Sequence, residues 1–191
     1  MQKLFLFAYP SDKRLSDLLN LAIFSLNPDA KWPAHVTLAG PFSATRSFRN
    51  PDNFSATVRV LGAGNFFKYG ASTVFLHVGA EEFEPLFKKP DFKGNLVPHL
   101  SLYDGNDKHI AKIFYEKISQ IRPFFFFRSD KLEIVTSTSG QLKTYLRERV
   151  NVKATKILNV DNVDDLRNLP LHERIEAAVL CIRKAQYYLK F

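Results

Sequence analysis

Two segments of this chain repeat one pattern. One reads Pro33-Ala34-His35-Val36-Thr37-Leu38, the other Pro98-His99-Leu100-Ser101-Leu102. Behind a proline, each sets a histidine, a spacer, a small hydroxyl residue and a leucine in alternation of polar and apolar. Alternation with period two marks a half-buried β-strand, and side chains i and i+2 of a strand lie on one face. The fold must therefore supply two strands of one kind. Val36 and Leu38, or Leu100 and Leu102, turn to a core, while His35 with Thr37, and His99 with Ser101, project the other way. If the strands are neighbours, two imidazoles and two hydroxyls meet in one cleft.

The rest of the chain reads as strands and helices around these two. Residues 4–9 form a first buried strand. Ser11 or Asp12 caps a helix to about Leu26, with Leu15, Leu18, Leu19, Ala22, Ile23 and Leu26 as its stripe. The first motif strand covers about 35–39, and residues 43–53 are a polar loop. Two strands, about 56–67 and 72–78, pair as a hairpin through a turn at 68–71. Residues 81–88 are a short helix candidate. The second motif strand precedes a helix over about 107–121, then strands near 124–127 and 131–138. The phenylalanine run at 124–127 reads as a strand buried on both faces. Helices between antiparallel strands predict an α+β fold: two quasi-symmetric halves with concave antiparallel sheets, outer helices and a central cleft. Residues 1–139 form this domain. Residues 140–191 are a mainly helical C-terminal extension, clearest over 171–189 behind Pro170. That piece can pack on the back of the sheet, join two copies as a homodimer, or cap the cleft.

Composition narrows the partners. With 191 residues, 46% hydrophobic and 18 phenylalanines, the chain can build a real core as one domain, or one domain plus an extension. Lys and Arg number 27 against 19 Asp and Glu, a net charge of +8, which favours anionic partners, RNA or nucleotides first. No stretch is apolar enough to span a bilayer, and the apolar opening runs into Pro10 too soon for a signal peptide. Cys181 stands alone, so no internal disulfide is possible. These features predict a soluble, cytoplasmic protein with no membrane partner, acting as a monomer or as a homodimer through the C-terminal helix.

The motif chemistry suits a phosphate. An imidazole with a reference pKa of about 6.5 serves as acid or base near neutrality. Displacement at phosphorus needs a base for the entering oxygen and an acid for the leaving one, and His35 and His99 supply the pair. Thr37 and Ser101 can donate to the non-bridging oxygens, where charge builds. No cofactor is needed and no metal is expected, because no His, Cys, Asp or Glu cluster at ligand spacing accompanies the two histidines. Tyr9, Trp32, Phe42 and Tyr103 are candidates to stack on a base. Arg46, with Arg49 on the same loop, is a candidate to hold a phosphate. His77 reads as an exposed strand residue, and His109 and His172 as solvated helix starts. No glycine-rich phosphate loop is present.

Two His-x-Thr/Ser triplets in strand contexts resemble the signature of the 2H phosphoesterase superfamily, the LigT-like or "2′-5′ RNA ligase" group. The resemblance covers about residues 1–139. It departs at Ser101, where Thr is commoner, and at Tyr103-Asp104-Gly105, where many relatives have a basic residue. It implies a metal-independent phosphodiesterase acting on 2′,3′-cyclic phosphate ends of RNA or nucleotides. His35 would protonate the leaving oxygen and His99 activate the nucleophile. An alternative within that chemistry is a hydrolase of 2′-5′-linked oligonucleotides or cyclic oligonucleotide signals. Alternatives of another class are a catalytically inactive RNA-binding module, or a scaffold whose helical tail recruits a partner.

Overall fold

A computed structural model describes residues 3–30, 32–43, 53–88, 97–136 and 163–188. In chain order the elements are β1 (Lys3–Tyr9), α1 (Lys13–Leu26), β2 (Val36–Ser43), β3 (Ala56–Asn65), β4 (Thr73–Gly79), β5 (His99–Asp104), α2 (Lys108–Gln120), β6 (Phe125–Ser129), β7 (Lys131–Thr136) and α3 (Leu171–Tyr188). The fold is α+β. Where separate sheets were expected, the strands form a single seven-stranded sheet in the order β6-β3-β4-β5-β2-β1-β7. Every pairing is antiparallel.

The sequence cues explain the elements. The Asp12 carboxylate accepts from Leu15 N at 2.7 Å and starts α1. The Asp107 carboxylate accepts from His109 N and Ile110 N and starts α2. Leu15, Leu19 and Ala22 of α1 join Val58, Val60, Leu76, Leu100 and Phe114 in one buried cluster. The helices thus lie on one side of the sheet. The other, hereafter the open face, carries His35, Thr37, His99 and Ser101.

Three expectations change, and the structure places the C-terminal helix among the alternatives left open for it. Helix α3 packs on α1 and α2, and Ile175, Ala178 and Ile182 are buried there, so this helix belongs to the helical layer and does not cap the open face; residues 140–162 of the expected extension lie outside the described residues. Its Arg174 donates to Ser25 O (2.9 Å) and Leu26 O (2.7 Å), satisfying carbonyls at the end of α1. The 81–88 helix is only a single tight turn, Glu81–Phe83. Pro85 has no N–H to give and would clash with the preceding turn of a longer helix. The first motif strand runs on to Ser43. The phenylalanine run is an edge strand, not one buried on both faces: Phe125 and Phe127 are buried, while Phe124 and Phe126 are 51% and 42% exposed.

Candidate active site

Strands β2 and β5 are neighbours, paired at Val36 and Leu100. In an antiparallel pair this register sets His35 opposite Ser101 and Thr37 opposite His99. Val36 and Leu100 are fully buried beneath, so all four motif side chains stand on the open face. Past the paired position the strands part. Leu38 O accepts from Lys88 N at 2.8 Å, so Lys88 lies beside β2 there. A cavity of about 580 Å³ opens here, with His35, Thr37, His99, Ser101, Trp32 and Lys88 among its walls.

Each imidazole is fixed by the same local device. His35 Nδ1 lies 2.6 Å from Pro33 O, and His99 Nδ1 lies 2.9 Å from Val97 O. A carbonyl oxygen only accepts, so Nδ1 carries the hydrogen in both rings, leaving Nε2 as the working nitrogen. The segment before His35 is further held by Asn20 of α1, whose side-chain oxygen accepts from Ala34 N at 2.6 Å.

Their aromatic surroundings differ. His35 is stacked on Phe7, with ring centres 3.7 Å apart and planes at 23°, and Phe7 meets Trp32 edge-on at 5.4 Å. His99 lies against Phe66 at 5.0 Å, edge to face, and against Phe75 at 4.8 Å. Burial pushes the His35 pKa down to about 4, because the ring would have to hold its charge away from water. The Pro33 carbonyl acts the other way, His99 lowers the value slightly, and Asp104 raises it.

Not every candidate from the sequence reaches this place. Trp32 lines the cavity, and Tyr9 lies 6.4 Å from His35 on the open face. Burial and the neighbouring Glu133 carboxylate raise the pKa of the Tyr9 hydroxyl, which has no hydrogen-bond partner among the described residues. Tyr103 borders the cavity but is 4% exposed, and its hydroxyl is within 3.3 Å of the Asp107 backbone. It belongs to the core, because β5 bulges between Ser101 and Tyr103 and turns its ring toward the helices. Phe42 also packs against the helical-side core. Neither is placed as a stacking platform in the cleft. Arg46 and Arg49 lie outside the described residues.

The sequence favours an exposed strand position for His77 over one reaching the cleft; in the structure it is half-buried. It pairs directly with His99 across β4 and β5, its ring meets Phe75 edge-on at 5.0 Å, and burial lowers its pKa. Its signal was present: His77 alternates with Val74, Leu76 and Val78, as His99 does with its own leucines. Gly64 lies under this pair. A Cβ there would come within 2.5 Å of both His77 Nε2 and the Phe75 ring, so glycine lets both rings approach β3 this closely. Phe7, Phe66, Phe75 and Lys88 were also missed, since nothing in their local sequence separates them from core or loop.

No three or more His, Cys, Asp or Glu side chains gather as a ligand set among the described residues. No helix among them is long and apolar enough to cross a membrane. Comparison of the sequence with protein-family models returns no match, and comparison with curated proteins returns none either.

Proposed function

We propose that the chain is a phosphodiesterase of the 2H type, using His35 and His99 as general acid and base on 2′,3′-cyclic phosphate ends of RNA or nucleotides. One observation carries the reading: two His-x-Thr/Ser triplets are paired at their central residues, with both Nδ1 atoms tied to the carbonyl two residues upstream. Diagonal positions across such a ladder are about 7–8 Å apart, which leaves room for a phosphate between the two Nε2 atoms. Thr37 and Ser101 stand where hydroxyls can donate to its non-bridging oxygens. The two halves are read as quasi-symmetric lobes, each giving one motif strand to the middle of the sheet. A reducing, cytoplasmic setting goes with this function, as does RNA or a nucleotide as partner.

One neutral imidazole takes a proton from water as its oxygen attacks phosphorus. The ring P–O bond breaks on the opposite side, and the second, charged imidazole gives its proton to the departing ribose oxygen. The product is a phosphomonoester, and the two histidines have exchanged protonation states. The resemblance assigns the acid to His35. The half-buried ring of His35, its pKa lowered to about 4, is neutral at pH 7 and suits the base.

The test is a panel of 2′,3′-cyclic nucleotides, 2′-5′ dinucleotides and 3′-5′ dinucleotides incubated with the protein in excess EDTA. We expect hydrolysis of the cyclic phosphates, undiminished by the chelator. Turnover of the 2′-5′ linkage alone would move the assignment to the 2′-5′ oligonucleotide alternative. Binding without turnover of any member would move it to the RNA-binding module.

A further inference from the structure

We propose that the open face of β4, β3 and β6 is a binding shelf for a single-stranded oligonucleotide, so that the substrate is a chain extending from the cleft and not a lone nucleotide. This rests on the phosphodiesterase reading and names its substrate class. Val58 and Val60 on β3, and Phe125 and Phe127 on β6, are buried on the helical side. Alternation then puts Arg59, Leu61, Phe124, Phe126 and Arg128 on the face that carries His77 and His99. The register aligns them. His99 pairs with His77, Gly79 with Arg59, and Arg59 with Phe126. Leu61, Val97, Phe124 and Phe126 are 57%, 45%, 51% and 42% exposed, so four large apolar side chains surface together beside the cleft. A Cβ at Gly79 would meet nothing within 4 Å, so the floor between His77 and Arg59 is bare. From β5 to β6 the shelf crosses three strand spacings, about 14 Å.

The mixture of groups selects the occupant. Phe124 and Phe126, with ring centres 5.5 Å apart, offer apolar faces on which bases stack regardless of sequence. Arg59 is exposed, and no ion pair holds it among the described residues. Arg128, beyond it, lies 3.1 Å from Ser55 Oγ and 3.2 Å from Asp130 Oδ1, which fixes a second guanidinium at the rim. Guanidinium groups beside aromatic faces match phosphates alternating with bases. A second copy docking through this same face would bring its cations against their own images, which the net charge of +8 makes worse.

The experiment has two arms. In the first, kcat/KM is measured on a mononucleotide 2′,3′-cyclic phosphate and on a single-stranded RNA ending in the same group. Wild type should favour the RNA, and in Phe124→Ala/Phe126→Ala that preference should fall at least about fivefold for each stack lost. Arg59→Gln should reduce it and flatten its salt dependence. In the second arm, fluorescence anisotropy follows a labelled single-stranded RNA with an ordinary 3′-hydroxyl, which needs no turnover. The His35→Ala/His99→Ala variant should bind it, and the double phenylalanine variant should not. If no cyclic phosphate is hydrolysed but RNA binding still depends on the phenylalanines, the phosphodiesterase reading fails and the shelf stands. An unchanged preference together with unchanged RNA binding in the phenylalanine variant overturns the shelf. So does a wild-type dimer, seen by light scattering, that this variant alone dissociates, because the face would then join two copies.

Discussion

The strand leading from His35 and the strand leading from His99 share one device and differ in what surrounds it. Both rings are tied through Nδ1 to the carbonyl two residues back, and both present a hydroxyl one pleat further on. His35, however, is stacked face to face on Phe7, and Asn20 clamps the residue before it. His99 touches its aromatic neighbours at wider spacing and has another histidine, His77, directly beside it. Similar local geometry thus comes with unlike surroundings. A stacked, water-poor imidazole resists a proton, which gives a near-symmetric pair a direction. The acid and base roles can then be set by what packs behind the rings, without any change in the motifs.

The largest effect that would break the pairing is loss of either imidazole. His35→Ala or His99→Ala should lower kcat by ~10²–10⁴, the usual worth of a positioned acid or base. Both variants should keep the fold, since the core lies on the other side of the sheet. If one variant retains a near-native rate on the best substrate, the two motifs are not partners. His77→Ala gives the control on the comparison: a loss as large as that of His99→Ala would mean that the wrong histidine of the β4–β5 pair has been assigned.

The hydroxyls come next. Thr37→Val and Ser101→Ala each remove one donor to the phosphate and leave the imidazoles in place. Each should cost about 10²–10³ in kcat where the bond tightens in the transition state, with KM less affected. The register sets Thr37 beside His99 and Ser101 beside His35, so each hydroxyl works next to the other motif's histidine. Double-mutant cycles should therefore couple Thr37 to His99 more strongly than to His35. Coupling within each motif instead would overturn the cross-strand arrangement.

Much of this was legible in the chain, for physical reasons. Period-two alternation gave the motif strands and their common face, and Asp12 and Asp107 marked two helix starts. Stripe residues of α1 were correct, yet Leu21 and Phe24, on its far side, are buried as well. A helix with apolar residues on two faces is covered on two sides, and that is the sign that α3 packs there. Phe42 and Tyr103 could not be assigned, because bulges in β1–β2 and β4–β5 shift which side a residue faces, and composition does not announce a bulge. The phenylalanine run misled because four apolar residues in a row carry no alternation, although in an edge strand two of them meet solvent. His77 was discounted as a single strand histidine. Only the pairing of β4 with β5 gives it a neighbour.

The smallest expected effect tests the charge state of His35 itself, through stability. The folded pKa of His35, near 4, lies below the unfolded value of about 6.5. Between those values the unfolded chain binds the proton more readily than the folded one. Stability from the neutral ring is thus fully present above pH 6.5 and is lost as pH falls toward 4. His77, also lowered by burial, acts in the same sense, and the slope it contributes should persist when His35 is replaced. His35→Gln should therefore lose less Tm than wild type between pH 7 and pH 4.5, measured by scanning calorimetry in matched buffers. The acid limb of kcat/KM sharpens the result. If His35 is the base, that limb should lie well below 6.5. Superimposable Tm curves for wild type and His35→Gln over that range would mean the ring is not held neutral by its surroundings.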